Sequence, residues 1–280
     1  MNRRDFLGGG VLLGSSLAVT DSPAAAGQEQ SRARCLVIDA HVHAGKGHKY
    51  GKGDATTPPW ETYNDPEVTL RRAEEAGIDR SVIFPIENRT FEKANEEIAG
   101  IVNKYPGKFI GFAKHDPENE AGRIKNLLAR EIKELGLRGL KLHKNPTPEV
   151  LEAVADLKVP ILWHPRRVSD FSAIAAAYPH ISFIMAHLGS YGSMDLAEHF
   201  RAIDAARRHP NVYLETSSVL LVEWLERAAR ELPAEKLIFG SDGPDLDARV
   251  ELHKIKLLKL PRDKEEKVLS GNILRLLPGR

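Results

Sequence analysis

Short apolar runs alternate along the chain with longer segments whose apolar residues recur every three or four positions, and this alternation repeats eight times between residues 35 and 280. The short runs centre on Leu36–His41, Ser81–Phe84, Phe109–Ala113, Gly139–His143, Ile161–His164, Ser182–His187, Val212–Glu215 and Leu237–Asp242. Their length and their branched and aromatic residues read as buried strands. Between them the pattern predicts helices over Pro66–Ala76 behind an Asp65 cap, Glu92–Lys104, Ala121–Leu135, Pro148–Leu157, Ser169–Tyr178, Leu196–Arg208 and Val219–Arg230, with a C-terminal pair ending at Leu277. A strand followed by a helix, eight times over, predicts an α/β fold: a single-domain (β/α)8 TIM barrel over residues 35–280. A doubly wound open sheet is the alternative, but no G-x-G-x-x-G follows any strand.

One connection is out of proportion. Ala44–Asn64 is rich in Gly, Lys, Thr and Pro and carries Trp60 and Tyr63 near its end. Placed directly after the first strand, it reads as a loop covering a substrate, with an insertion of no role as the other reading.

The N-terminus does not belong to the barrel. Arg3-Arg4 is followed by Phe6-Leu7, a Gly/Leu/Val stretch from Gly8 to Val19, and Ala24-Ala25-Ala26 before Gly27. This is the pattern of a signal peptide over residues 1–26, too short and glycine-rich for a stable membrane span. The paired arginines resemble a twin-arginine export signal, which makes the export machinery an expected partner and the periplasm or extracellular space the expected location. Residues 27–34 then form a short linker. Removing 26 of 280 residues leaves 254, a common size for one barrel.

Composition narrows the rest. Cys35 is the only cysteine, so no disulfide can form within the chain and the core must hold it together. Net charge is +1, and the signal peptide carries two arginines and two aspartates, so its loss leaves the balance unchanged. Nothing predicts a nucleic-acid partner or stable membrane insertion of the mature chain, and a small-molecule substrate is the expected partner. Oligomeric state has no signature here.

The chemistry sits at the ends of the strands. His41 and His43 lie two residues apart on the first strand, so their imidazoles face the same way. His164, His187 and Asp242 each close a later apolar run. In a parallel barrel all these ends meet at one mouth, which makes five scattered residues one candidate site. In Leu140-Lys141-Leu142-His143 the same alternation turns Lys141 and His143 inward. Neutral imidazoles with a carboxylate suit a borderline divalent ion such as Zn2+, and an open coordination position would make the site catalytic. Such an ion acidifies a bound water and polarises a carbonyl. Asp242 can then take the water's proton and hand it to the leaving group.

Seven motifs in order extend this to a resemblance over the whole mature chain: Ile38-Asp39-Ala40-His41-Val42-His43, Gly139-Leu140-Lys141-Leu142-His143, Val159-Pro160-Ile161-Leu162-Trp163-His164-Pro165, Met185-Ala186-His187-Leu188-Gly189, Asn211-Val212-Tyr213-Leu214-Glu215-Thr216-Ser217, Gly240-Ser241-Asp242-Gly243-Pro244 and Gly271-Asn272-Ile273-Leu274-Arg275-Leu276. The chain resembles the amidohydrolase superfamily, in its amidohydrolase-related (type 2) branch. The resemblance implies that His41, His43, His164 and Asp242 bind one divalent metal and that His187 orients the attacking water or the substrate. In binuclear relatives a strand-four lysine is carboxylated and bridges two ions; Lys141 stands near that place, with an uncarboxylated site lysine or simple pairing with Glu215 as alternatives. His143 is then a substrate contact. Arg166, just past His164-Pro165, suits an anionic substrate if it faces the mouth and is an ordinary surface arginine if it does not.

Three functions compete. The first is a metal-dependent hydrolase of a lactone, ester or amide. The second is a decarboxylase or hydratase built on the same site, since the branch resembles both. The third is an exported, non-catalytic binding protein, against which the full set of ligand-type residues argues.

Overall fold

The computed structural model describes residues 34–49 and 60–279. The expected signal peptide, the linker up to Ala33 and the tip of the 44–64 connection lie outside the described residues. The strands are β1 (Ile38–Lys49), β2 (Trp60–Asn64), β3 (Arg80–Pro85), β4 (Phe109–Gly111), β5 (Ala113–Lys114), β6 (Leu140–Leu142), β7 (Ile161–Trp163), β8 (Phe183–Met185), β9 (Val212–Glu215) and β10 (Leu237–Ile238). The main helices are α1 (Pro66–Ala76), α2 (Glu92–Lys104), α3 (Ile124–Lys133), α4 (Pro148–Leu157), α5 (Val168–Ala177), α6 (Leu196–Arg208), α7 (Val222–Glu231) and α8 (Ala248–Leu257). Local chemistry sets their ends. Asp65 accepts a hydrogen bond from the Glu67 amide ahead of Pro66 to start α1, and Asp195 and Asp247 cap α6 and α8 in the same way.

The strands are parallel apart from β2, and they pair as two sheets, β2-β1-β3-β4 and β10-β9-β8-β7-β6-β5. The expected continuous barrel ladder is therefore broken at two seams. At one, the third predicted strand splits around Phe112: the Phe112 amide bonds Ile83 while the Ala113 amide bonds Gly139. At the other, the amides of Ala40 and His43 donate to the carbonyls of Phe239 and Gly243. Here the eighth predicted strand keeps only two residues of regular ladder, because the backbone from Gly240 onward turns to present Asp242 at φ 59.

Side chains alternate as period two requires. Ile38, Ala40, Val82, Phe84, Ile110, Phe112, Leu162, Ile184 and Ile238 form an inner apolar cluster, while Ile83, Trp163, Phe183, Met185, Val212 and Leu214 pack outward among the helices. Ile273, and Leu277 just past the helix end, join the inner cluster from a C-terminal helix made of α9 (Arg262–Glu266), a π turn over Lys267–Gly271 and α10 (Asn272–Leu276). Among the described residues no helix is long and apolar enough to cross a membrane.

The long connection is not simply a loop. β1 runs on past the sheet to Lys49, and β2 returns antiparallel to it in register from Gly45 opposite Asn64 to Lys49 opposite Trp60. The result is a hairpin arm that extends the ligand-bearing strand itself.

A second polar cluster lies behind β5. His115 is fully buried between Glu120 (Nδ1 to Oε2, 3.0 Å) and Glu131 (Nε2 to Oε2, 2.8 Å). Burial alone would lower its pKa, but the two carboxylates reverse that and raise it to about 9. An imidazole with a folded pKa above its unfolded value of about 6.5 adds stability that is fully present below pH 6.5 and is lost as pH rises through 9. The contribution is on the order of 3 kcal/mol. Subtracting the unfolding free energy of His115→Gln from that of the native chain should give a difference that is large at pH 6 and fades by pH 10. A flat difference across that range would show that His115 is not charged in the fold.

Candidate active site

β1 delivers His41 and His43 with a register shift between Asp39 and Val42, so the two rings reach one point from slightly different heights. His41 is fully buried, and its Nδ1 lies 2.9 Å from Glu215 Oε2. With Glu215 Oε2 as the acceptor, Nδ1 carries the proton and Nε2 faces the mouth. That Nε2 lies 3.1 Å from Asp242 Oδ1, and His43 Nε2 lies 3.2 Å from the same oxygen. Electron pairs facing each other at this distance need a cation or a proton between them.

Two observations test whether a divalent metal fits. Donors at about 2.0–2.1 Å from a tetrahedral ion lie about 3.3 Å apart, close to the separations seen here. The ligand atoms of His41, His43 and Asp242 also lie within 4.8 Å of one another. At His41 burial and Lys141 lower the pKa, but the carboxylates of Asp242 and Glu215 outweigh them and raise it, so a proton can fill the gap to Asp242; the surrounding imidazoles instead favour a metal. Burial, with the neighbouring cations, lowers His43 to about 4 and His164 to about 3 and holds His143 and His187 well below the usual range, so these imidazoles keep lone pairs at neutral pH. Asp242, although buried, is held well below the usual carboxylate range by His41 and His43 and is ionised.

Asp242 is placed by a clasp. Asp39 accepts from the Ser241 amide (2.8 Å) and hydroxyl and from the His41 amide (3.1 Å), joining the two ligand segments directly. Glu215 is the larger keystone and carries more than sequence reading gave it. Fully buried, it accepts from His41 Nδ1, the Ser217 hydroxyl (2.9 Å) and the His187 amide (3.2 Å) through Oε2, and from the Ser217 amide through Oε1. It therefore does not serve as the partner of Lys141. That lysine, also fully buried, lies 3.2 Å from His41 Nε2, and burial pushes it down to about 7. Gly240 is required beside this cluster, since a Cβ there would stand 2.4 Å from Glu215 Oε1 and 2.9 Å from His41 Cβ.

The other expected residues sort themselves around the cluster. His187 sits in a left-handed turn (φ 58, followed by Leu188 at 48), with Nδ1 2.9 Å from the Ser217 hydroxyl and its ring 4.9 Å from that of His41. His199 donates from Nδ1 to the Leu188 carbonyl and fixes that turn from α6. His164 belongs to neither trio of converging ligand atoms, His41 with His43 and Asp242 or His41 with His187 and Glu215; its ring packs 4.6 Å from His187 and 5.7 Å from His143 on the adjoining wall. The structure thus brings together three of the four expected ligands and sets the fourth beside them. Arg166 is exposed and lies outside the cleft lining.

These residues open into a cleft of about 770 Å³, whose far wall holds His48, Ile86, Glu87 and Lys114. Tyr191, edge-on to His187 at 5.1 Å, closes one side. Sequence reading missed Lys114 and Tyr191. Lys114 does follow an apolar run, as the ligands do, but Tyr191 comes from an irregular turn with no periodic signal.

Residues 38–279 match the sequence model of the amidohydrolase family. No curated protein matches the sequence. Solved structures with a similar fold include 2,6-dihydroxybenzoate decarboxylase from Rhizobium, 15% identical with a TM-score of 0.67 over 87% of this chain and 98% of that one. Dihydroxybenzoic acid decarboxylase from Polaromonas, with bound manganese and an inhibitor, is 18% identical with a TM-score of 0.66 over 87% and 97%. A probable 2-pyrone-4,6-dicarboxylic acid hydrolase from Acinetobacter baumannii, with citric acid bound, is 16% identical with a TM-score of 0.65 over 86% and 98%. At these identities the likeness is one of fold, and it is the match over residues 38–279 that decides the family: this chain belongs to the amidohydrolases.

Proposed function

We propose that the chain is a metal-dependent hydrolase acting on a lactone, ester or amide bond of a small anionic substrate, in a (β/α)8 barrel with the metal at the mouth. The convergence of His41 Nε2, His43 Nε2 and Asp242 Oδ1 carries this reading. His41, His43 and Asp242 would hold one divalent ion, most simply Zn2+ for two imidazoles and a carboxylate, with His164 as the neighbouring fourth ligand. Bound there, the ion supplies Lewis acidity, lowering the pKa of water and polarising a carbonyl. The chain's own residues do the rest. Glu215 keeps the His41 lone pair aimed outward, Asp242 accepts a proton and returns it to the leaving group, and His187, neutral and fixed by Ser217, orients the water or the substrate.

A second reading, decarboxylation, is favoured by the two similar decarboxylase folds, one of them with manganese bound. In that reaction the ion held by the same ligands would supply its Lewis acidity to the substrate's carboxylate, and as the carbon–carbon bond breaks to release carbon dioxide a proton drawn from solvent would take its place on the carbon.

Metal analysis comes first. The purified chain, freed of loosely held ions, should carry close to one divalent ion, and a chain that holds none would overturn both readings. Two ions, falling in Lys141→Ala, would show a carboxylated Lys141 bridging a pair. Proton release from lactones then separates hydrolysis from carbon dioxide release by carboxylated aromatics.

A further inference from the structure

We propose that Lys114 and His143 form a carboxylate-binding subsite on the wall of the cleft, held in this structure by the chain's own Glu87, so that the substrate carries an acidic group remote from the metal centre. The inference rests on the metal-centre reading, which supplies the other end of the substrate.

The pairing is lopsided. The Lys114 side chain is 2% exposed, yet its ammonium bonds a partner that is 55% exposed: Nζ lies 2.9 Å from Glu87 Oε2. His143 Nδ1 lies 3.4 Å from the same oxygen. A buried cation and an imidazole edge thus converge on one carboxylate oxygen supplied by a solvent-facing side chain. Burying an ammonium is costly unless it is paired, and a freely hydrated glutamate is a weak choice for a permanent partner. It is a good stand-in for one that arrives with the substrate.

The subsite is also built, in the sense that its geometry is enforced from behind. Asn95 takes both backbone hydrogen bonds of Lys114, donating to its carbonyl (3.0 Å) and accepting from its amide (2.9 Å). Asn95 is anchored in turn on Glu131 (2.7 Å), which holds His115. That network keeps Lys114 at the cleft whatever Glu87 does. Across the opening the hairpin arm brings His48, whose Nδ1 is buried with no hydrogen-bond partner among the described residues and whose amide donates to the Glu87 carbonyl (2.8 Å). A ligand oxygen beside Glu87 would meet this nitrogen.

Charge identifies the group. Among the described residues lining the cleft the cations are Lys114 and Arg89 and the carboxylates are Glu87, Asp116, Asp242 and Asp245, and Lys144 pairs Asp116 at 2.9 Å. When Glu87 swings out to water, one negative charge leaves the subsite, and one can take its place. A monoanionic carboxylate satisfies that balance, whereas a dianionic phosphate exceeds it. His143 stands with its ring 6.0 Å from that of His43, so one small molecule can reach both the metal ligands and Lys114.

Binding distinguishes these roles without knowledge of the true substrate. The metal-loaded full chain is titrated calorimetrically with linear dicarboxylates from succinate to pimelate and with the monocarboxylates of matching length. One dicarboxylate should bind about tenfold more tightly than its monocarboxylate, the size of one charge-assisted contact. Lys114→Met should erase that preference. Glu87→Gln, an exposed change that leaves the fold intact, should tighten the preferred dicarboxylate several-fold while leaving the monocarboxylate unchanged. Equal affinities for both series, or a Glu87→Gln chain that binds no better, would overturn the subsite. Failure of the metal reading looks different: the Lys114-dependent preference would survive unchanged after chelation.

Discussion

Asp242→Asn is expected to keep its metal and lose nearly all its turnover. Asparagine has the same shape, tolerates the left-handed backbone at φ 59 as aspartate does, and retains an oxygen to face His41 and His43. It cannot accept a proton. Removing a general base costs about 10²–10⁴ in rate, so kcat should fall by that factor while the metal content stays a substantial part of that of the native enzyme. His187→Ala should be similarly impaired and also retain metal, because His187 lies outside the trio that includes Asp242. Both quantities are measured on the same preparations. A near-normal kcat for Asp242→Asn would move the base to His187 or His143, and complete metal loss in both variants would dissolve the separation of ligand from base.

The second large effect is on the fold. Glu215→Ala strands four buried donors: His41 Nδ1, the His187 amide, and the amide and hydroxyl of Ser217. Each buried donor left without its acceptor costs about 1–3 kcal/mol, and four of them are orphaned together. Chemical denaturation should therefore show a loss of at least about 3 kcal/mol. Glu215→Gln should lose clearly less, since its amide oxygen can still accept from one donor. An alanine variant within about 1 kcal/mol of the native chain would mean that Glu215 is not the keystone of the site.

Much of this architecture was legible in the sequence. The helices at Pro66–Ala76, Glu92–Lys104, Pro148–Leu157 and Leu196–Arg208 fall where the pattern puts them, because amphipathic spacing and terminal caps act locally. The ends of the strands are less faithful. Regular pairing stops at Ile238 and at Met185, short of Asp242 and His187, since a backbone that must aim a side chain into the mouth leaves the ladder first. No periodicity records that departure. The hairpin arm was hidden for another reason: its strands, the first rich in Gly and Lys, form a rim, not a core, so they lack the apolar alternation that announces a buried strand. Glu215 closes an apolar run in the manner of the proposed metal ligands, and the signal was present; its role as a four-way acceptor depends on His41 and His187, brought in from two other strand ends, and on Ser217 just past its own.

The hairpin arm has a mechanical meaning. His41, His43 and His48 belong to one strand, so the rim of the cleft and the proposed metal ligands are two ends of a single lever. Its pivot is Gly45, which adopts φ 83 and leaves room for the Glu97 carboxylate that receives the Lys46 amide; a Cβ at Gly45 would stand 2.9 Å from Glu97 Oε2. Selection for a new substrate therefore has two kinds of move. Changes beyond Gly45 can reshape the rim while the metal ligands stay at rest, and changes at or before it alter recognition and chemistry together.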